Sequence, residues 1–312
     1  MNIVGLDSLR FGVDDIALCA RYFTEYGLQP VDAGDAGGRF EAMDGTSIEI
    51  RYADDVALPP RMGPGCKLRQ TVYGVTDEQE LARIANELAK DRNVTRTDDG
   101  AVECIDDMGF ALRFQKTVRR PYQASAERIN SPGAAALRPV NQTAADSRAA
   151  IVPRTLSHVV YFVPDVAKAE AFYVERLDFR VSDRFVGVGP FLRPAGSSDH
   201  HTLFLIQTPA AMKGVEHFTF HLGGPTEVLL AGKRFTERGH KTFWGPGRHI
   251  FGSNWFWYFE SPLHCHVEYD ADMDLHDDSW KPREAPLSAD TSQIFLFQHR
   301  APWAPVGPPP KG

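Results

Sequence analysis

The sequence predicts an α+β protein of two domains, each built from two paired βαβββ modules, with the functional site in the cupped sheet of the C-terminal domain. Three observations carry this reading. The chain repeats itself: LDSLRFGVDDIALCARYF, Leu6 to Phe23, aligns without a gap on LSHVVYFVPDVAKAEAFY, Leu156 to Tyr173, at an offset of 150 residues. Self-similarity over a strand and a helix together means duplication. Downstream in each half a second strand, helix and strands follow, so that four such units stand in two pairs. Between the pairs, residues 121–153 are rich in Ala, Ser and Pro with little periodicity, the composition of a connection wrapped over the surface.

Each copy of the repeat opens with a strand of about six residues. Asp15 or Asp165 then serves as helix N-cap, and an amphipathic helix follows. Its apolar positions keep register: Ile16, Cys19, Tyr22 and Phe23 match Val166, Ala169, Phe172 and Tyr173. In the second unit Lys67 to Val75 reads as a strand and Thr76 to Lys90 as a helix. Val102 to Gln115 reads as two short strands around Asp106-Asp107-Met108-Gly109. In the fourth unit Val215 to Leu222 is a strand and Pro225 to Arg238 a helix closed by Gly239. The unit ends in GPGRHIFGSNWFWYFESPLHCHVEYD, Gly245 to Asp270. This stretch reads as a turn carrying Arg248 and His249, a strand from Trp255 to Glu260, a Pro262 turn and a strand from Cys265 to Tyr269. The domains are expected at 1–120 and 154–272, with a tail at 273–312 that is acidic and then Pro-rich. In the tail Gln293 to Phe297 is expected to form a short strand or cover, and Pro302 to Pro310 to be irregular.

With 312 residues, 43% hydrophobic and 11% aromatic, the chain can bury two ordinary cores. A net charge of -7 and no Lys/Arg run beyond Arg119-Arg120 argue against nucleic acid or an anionic membrane as partner. A small molecule is expected instead. Cysteines 19, 66, 104 and 265 show no CxxC spacing, and no charged-then-apolar leader precedes the fold, so reduced thiols in the cytoplasm are expected. No apolar run approaches the roughly 20 residues that span a bilayer.

Superimposing the repeats shows where polar residues break apolar strands. His158 and His217 lie in the first strands of the third and fourth units, and Glu268 in the last strand of the fourth. On that last strand His264, His266 and Glu268 share a face and Cys265, Val267 and Tyr269 take the other. Two imidazoles and a carboxylate converging in a cupped sheet make a 2-His-1-carboxylate set, which leaves positions open on a divalent metal and suits non-haem Fe(II). His221 shares the face of His217, but four residues of strand is about 13 Å, so only one of the two can join one ion.

These residues sit in motifs LSHVVYFVPD, DHHTLFL, VEHFTF, GPGRHIFGSN and FWYFESPLHCHVEYD. In them the C-terminal half, Leu156 to Asp270, resembles the catalytic domain of the type I extradiol ring-cleaving dioxygenases of the vicinal oxygen chelate superfamily. The N-terminal half matches by fold pattern alone. The resemblance implies the vicinal oxygen chelate fold, a homo-oligomer, and cleavage of a catechol-type aromatic substrate by O2. It places His158, His217 and Glu268 on the metal ligands, with Fe(II) as the ion and Mn(II) as the alternative. It places His201, in preference to the adjacent His200, on the acid-base histidine. His249 and Tyr258, 19 and 10 residues before Glu268, fall on the pair that hydrogen-bonds the bound substrate. Phe191, Phe256, Phe185 and Trp244 are expected to line an apolar pocket, Arg248 to sit in a surface turn, and His266 to stand near Glu268. Two departures bear on the substrate: Ile250 to Asn254 follows His249, and Glu260-Ser261-Pro262-Leu263-His264 replaces the usual turn. In the N-terminal half the equivalent positions read Ser8, Gln70 and Arg113. A permanently cationic, donor-only Arg cannot ligate a cation, so that half should be a structural duplicate. The competing readings are a glyoxalase-like lyase or isomerase and a metal-free binding module. The acidic run Asp270 to Asp278 is expected to be a solvated loop.

Overall fold

The structure, a computed structural model, describes residues 1–63 and 65–299. Four βαβββ modules follow one another. The first is β1 (Ile3–Val13), α1 (Ile16–Tyr26), β2 (Gln29–Gly34), β3 (Gly37–Glu41) and β4 (Ser47–Tyr52). The second is β5 (Leu68–Val75), α2 (Glu78–Leu88), β6 (Thr95–Arg96), β7 (Val102–Ile105) and β8 (Ala111–Lys116). The third is β9 (Thr155–Val163), α3 (Val166–Ala171, widening into a π-type turn at Phe172–Arg176), β10 (Phe179–Val186), β11 (Gly189–Pro194) and β12 (Leu203–Gln207). The fourth is β13 (Gly214–His221), α4 (Pro225–Glu237), β14 (Thr242–His249), β15 (Trp255–Glu260) and β16 (His266–Ala271). Asp15 and Asp165 cap α1 and α3 as the repeat requires, accepting from Leu18 and Lys168 backbone N–H. Asp77 accepts from Gln79 and Glu80 N–H, which starts α2 at Glu78, two residues later than its apolar pattern suggests.

Modules one and two share an eight-stranded sheet in the order β2-β3-β4-β1-β5-β8-β7-β6. Modules three and four repeat that order as β10-β11-β12-β9-β13-β16-β15-β14. The tail extends this second sheet at both edges: β17 (Arg283–Pro286) runs parallel to β10, and β18 (Gln293–Leu296), after the short helix α5 (Ala289–Ser292), pairs with β14. That pairing corrects one expectation. Arg248 and His249 end a strand rather than sit in a turn, because β15 and β18 supply ladder partners on both sides of a Gly-Pro-Gly stretch that reads locally as a turn. Cys265 likewise belongs to the turn, and the last strand starts at His266. Residues 121–153 hold no helix or strand. Pro302 to Pro310 lies outside the described residues. All four cysteines are unpaired, and among the described residues no helix is long and apolar enough to cross a membrane.

The two sheets share one buried cluster, and each half packs aromatic residues on the other. From α1, Tyr26 donates to the Glu268 carbonyl at 2.5 Å and stacks on Tyr269 at 4.1 Å, while Tyr269 donates back to the Tyr26 carbonyl at 2.7 Å. From the third module, Tyr173 donates to Asp106 at 3.1 Å, and Tyr161 stacks on Phe110 at 3.9 Å. Burying each such ring contributes about 2–3 kcal/mol. The face opposite the cup is closed in the fourth module by α4, whose Gly232 lies against Trp257: a Cβ there would stand 2.0 Å from the indole.

Two outcomes follow from this packing. Gly232→Ala should destabilise the protein by about 2 kcal/mol or more through overpacking, despite the ~1 kcal/mol Ala gains over Gly in a helix; urea unfolding reads it. Burial raises the Asp106 carboxyl to about 6 against the hydrogen bonds it accepts. The native state therefore holds its proton more tightly than the unfolded state, so stability from this group is present in acid and lost as pH rises through 6. The stability of the protein relative to Asp106→Asn should increase by about 1 kcal/mol between pH 7 and pH 5, measured by urea unfolding at both pH values.

Candidate metal centre and active-site cavity

The centre is built on three adjacent strands. β13 lies between β9, antiparallel to it, and β16, parallel to it, and Thr219 of β13 is in register with both His158 and Glu268. His217, two residues before Thr219, shares its face. The side chains therefore meet: His158 Nε2 stands 3.3 Å from His217 Nε2 and 3.2 Å from Glu268 Oε2, and His217 Nε2 is 3.6 Å from the same oxygen. All three residues are buried, and one ligand atom from each lies within 4.8 Å of the others. His221 is not among them. It pairs with buried Asp270 at 2.6 Å; burial would lower its pKa, but Asp270 and Asp199 outweigh burial and raise it to about 10.

The residues fit a divalent cation. Glu268 Oε1 is buried without a hydrogen-bond partner, a costly state for a carboxylate oxygen unless an ion completes it. Burial pushes the Glu268 carboxyl up, but the surrounding imidazoles outweigh it and hold the group ionised. Burial lowers the His158 pKa, which favours the neutral, ligating ring. Polar groups behind the ligands orient them, as metal-binding imidazoles require. Ser157 Oγ lies 2.9 Å from His158 Nδ1, and Thr219 donates to Glu268 while standing 3.0 Å from His158 Nε2. Glu216 bridges the Nδ1 atoms of His217 and His266.

Around this cluster opens a cavity of about 250 Å³. At its polar end, beside the ligands, are His201, His249 and Tyr258. The Ser292 carbonyl, 3.2 Å from His249 Nδ1, can only accept, so Nδ1 carries a proton, and Nε2 lies 3.2 Å from the Tyr258 hydroxyl. Burial holds His201 well below its ordinary pKa and so neutral. The far walls are apolar: Val160, Phe185, Phe191, Phe204 and Phe251 form a separate buried cluster, with Phe191 and Phe204 stacked at 4.0 Å. No lysine or arginine is among the described residues that line the cavity.

Of the residues expected at the site, His158, His217, Glu268, His201, His249, Tyr258, Phe191, Phe185 and Trp244 all border the ligand cluster or its cavity. Phe256 does not line the cavity; it stacks on His249 at 4.1 Å and supports that ring from behind. His266 reaches Glu216 rather than Glu268, and Arg248 is partly buried, its guanidinium on Asp272 at 2.7 Å. Asp270 is no solvated loop residue but a buried acceptor for His221 and Asn254. Glu216 escapes a reading by strand alternation, which sends neighbours to opposite faces. A register shift between Val215 and His217 against β9 brings both Glu216 and His217 to the cavity. Thr219→Val should weaken divalent-metal binding about 10–100-fold without unfolding the protein, as read by competition with a chromophoric chelator.

The chain is similar to several known proteins. Residues 155–269 match the family model described as Glyoxalase/Bleomycin resistance protein/Dioxygenase superfamily. Metapyrocatechase 2 of Cupriavidus necator is 38% identical over 124 residues, 40% of this chain and 38% of that protein's length. Biphenyl-2,3-diol 1,2-dioxygenase of Paraburkholderia xenovorans (strain LB400) is 27% identical over 303 residues, covering 90% of this chain and 91% of the relative. Among solved structures, the Mn(II)-bound glyoxalase from Novosphingobium aromaticivorans superimposes with a TM-score of 0.72 at 20% identity, over 94% of this chain and 90% of the other. The same two-sheet fold thus serves proteins named for different reactions. Residues 155–269, which contribute every candidate ligand and all of the described cavity lining except Leu287 and Ser292, form a domain of the Glyoxalase/Bleomycin resistance protein/Dioxygenase superfamily.

Proposed function

We propose that the protein is an extradiol dioxygenase of aromatic compound catabolism. It opens the ring of a catechol-type substrate with O2 at an Fe(II) centre held by His158, His217 and Glu268, Mn(II) being the alternative ion. The observation that carries this reading is the convergence at one cavity end of the ligand cluster, a neutral His201 and the hydrogen-bonded His249–Tyr258 pair. An ion in this set supplies Lewis acidity and the redox route between a singlet diol and triplet dioxygen.

The chain's own groups do the rest. Tyr258 and His249 hydrogen-bond the diol and favour its ionised form. His201, uncharged and bordering the same space, takes and returns a proton, worth roughly 10²–10⁴-fold in rate. The aromatic wall of Phe185, Phe191, Phe204 and Phe251 orients the ring and receives its substituent. With no cation in that wall, a carboxylate there would be buried unpaired at a cost of several kcal/mol. The favoured substrates are therefore catechols that are bare or carry apolar alkyl or aryl groups.

A lyase or isomerase of glyoxalase type would need a carboxylate base. Glu216 is the cavity carboxylate outside the ligand cluster, and its two oxygens are taken by the Nδ1 atoms of His217 and His266, which leaves neither free to abstract a substrate proton. Assembly as a homo-oligomer belongs to the same proposal and is read by light scattering.

Oxygen uptake by anaerobically prepared, Fe(II)-reconstituted protein tests the reading. Alkyl- or aryl-catechols should give oxygen consumption and a yellow product, with kcat/KM for carboxylated catechols lower by about 10²-fold or more. His201→Ala should retain metal and lose about 10²–10⁴-fold in kcat. A protein with stoichiometric metal and no uptake on any diol points to the isomerase reading; one that binds no metal points to a binding module.

A further inference from the structure

Behind His201 lies a line of polar groups that the proposed reaction does not use. His200 is fully buried, with Nδ1 2.9 Å from His201 Nδ1 and Nε2 2.8 Å from Asp183 Oδ2. Asp183, on β10 and equally buried, is gripped from the other side by Arg283 of β17. The Arg283 backbone N–H donates to Oδ1 at 2.8 Å, and Nη2 donates to Oδ2 at 2.6 Å. Arg283 in turn lies over the rings of Phe251 and Trp280, at 5.0 and 5.1 Å.

The protons in this chain can be counted. Burial would raise the Asp183 pKa, but the hydrogen bonds from His200 and Arg283 outweigh it, so the carboxylate is ionised and only accepts. His200 must then carry its proton on Nε2. Asp183 already has its counter-charge in Arg283, and burial lowers the His200 pKa, so His200 is neutral and that N–H is its only one. His200 Nδ1 is therefore a lone pair, and the Nδ1–Nδ1 contact needs one proton, which His201 alone can supply. With Nδ1–H committed to His200, Nε2 is the nitrogen through which His201 can exchange a proton, on a ring that lines the cavity. The free neutral side chain prefers the opposite form, with the proton on Nε2.

We propose that His200 and Asp183, clamped by Arg283 from the tail, are positioning residues that fix His201 as its Nδ1–H tautomer and so present Nε2 to the cavity as a proton acceptor. The proposal rests on the dioxygenase reading for its effect on rate but not for its geometry. Where loss of the group behind a catalytic histidine leaves the wrong tautomer, rates fall by up to about 10⁴-fold. Nothing else among the described contacts of His201 selects between its nitrogens.

The test compares the wild-type protein with His200→Leu and His200→Gln, whose amide can donate to Asp183 and accept from His201. With Fe(II) and a catechol, His200→Leu should lose about 10²-fold or more in kcat with KM within about threefold, and His200→Gln should recover most of the loss. Imidazole-nitrogen NMR of isotopically labelled, Zn(II)-loaded protein reads the tautomers without turnover. His201 should be protonated at Nδ1 in the wild type and His200→Gln, and mixed in His200→Leu. A wild-type His201 protonated at Nε2, or a His200→Leu protein with unchanged kcat and tautomer, overturns the proposal. Should His200→Leu not fold, the wild-type spectrum decides alone. An Nδ1–H His201 in a wild-type protein inactive on every diol would retain the positioning and remove the dioxygenase reading.

Discussion

The site depends on a single strand register. Because Thr219 of the central β13 faces His158 on one side and Glu268 on the other, and because side chains alternate along a strand, the two imidazoles and the carboxylate must converge. A one-residue slip of β9 or β16 would send its ligand into the apolar layer behind the sheet. That layer is what holds the register: Val267 and Tyr269 flank Glu268 on the opposite face and lie in the core. Tyr26 of the N-terminal half hydrogen-bonds the Glu268 carbonyl itself.

The N-terminal half shows what the same skeleton does with other chemistry. Its register is the same: Ser8 pairs with Val72 as His158 does with Thr219, Arg10 with Gln70 as Val160 does with His217, and Val72 with Arg113 as Thr219 does with Glu268. Yet Arg10 binds Glu49 and Gln70, Gln70 binds Glu103, and Arg113 binds Glu103 and Asp99. These polar groups satisfy one another, whereas the C-terminal cup keeps a carboxylate oxygen without a partner. The contrast between a self-neutralised cup and an open one separates a structural duplicate from a site.

Around the ligands, most polar groups are committed by neighbours from elsewhere in the chain. His217 is oriented by Glu216, His249 by the carbonyl of Ser292, and His200 by Asp183 and Arg283. Two of these partners, Ser292 and Arg283, come from the tail, in which the sequence suggests only a short strand or cover at Gln293 to Phe297. Its strands β17 and β18 cover both edges of the catalytic sheet, where unpaired edges would otherwise be exposed. Leu287 and Ser292 also border the cavity.

By itself the sequence determined the architecture and pointed to the candidate ligand cluster. The 150-residue repeat, the Asp15 and Asp165 caps and the alternation around Glu268 are local patterns, and local patterns survive without coordinates. His158, His217 and Glu268 were legible because each interrupts an apolar strand at an equivalent position. Tertiary structure decided what depends on pairing between distant strands: that Arg248 and His249 end β14, that Phe256 backs His249, and that His266 reaches Glu216. It decided, too, that Glu216 enters the cavity through a register shift, which no alternation rule anticipates. The adjacent His200 and His201 are chemically alike in sequence. What sets them apart is Asp183 of β10, 17 residues from His200 in the chain, which pairs with His200, because hydrogen bonds are chosen by proximity in space.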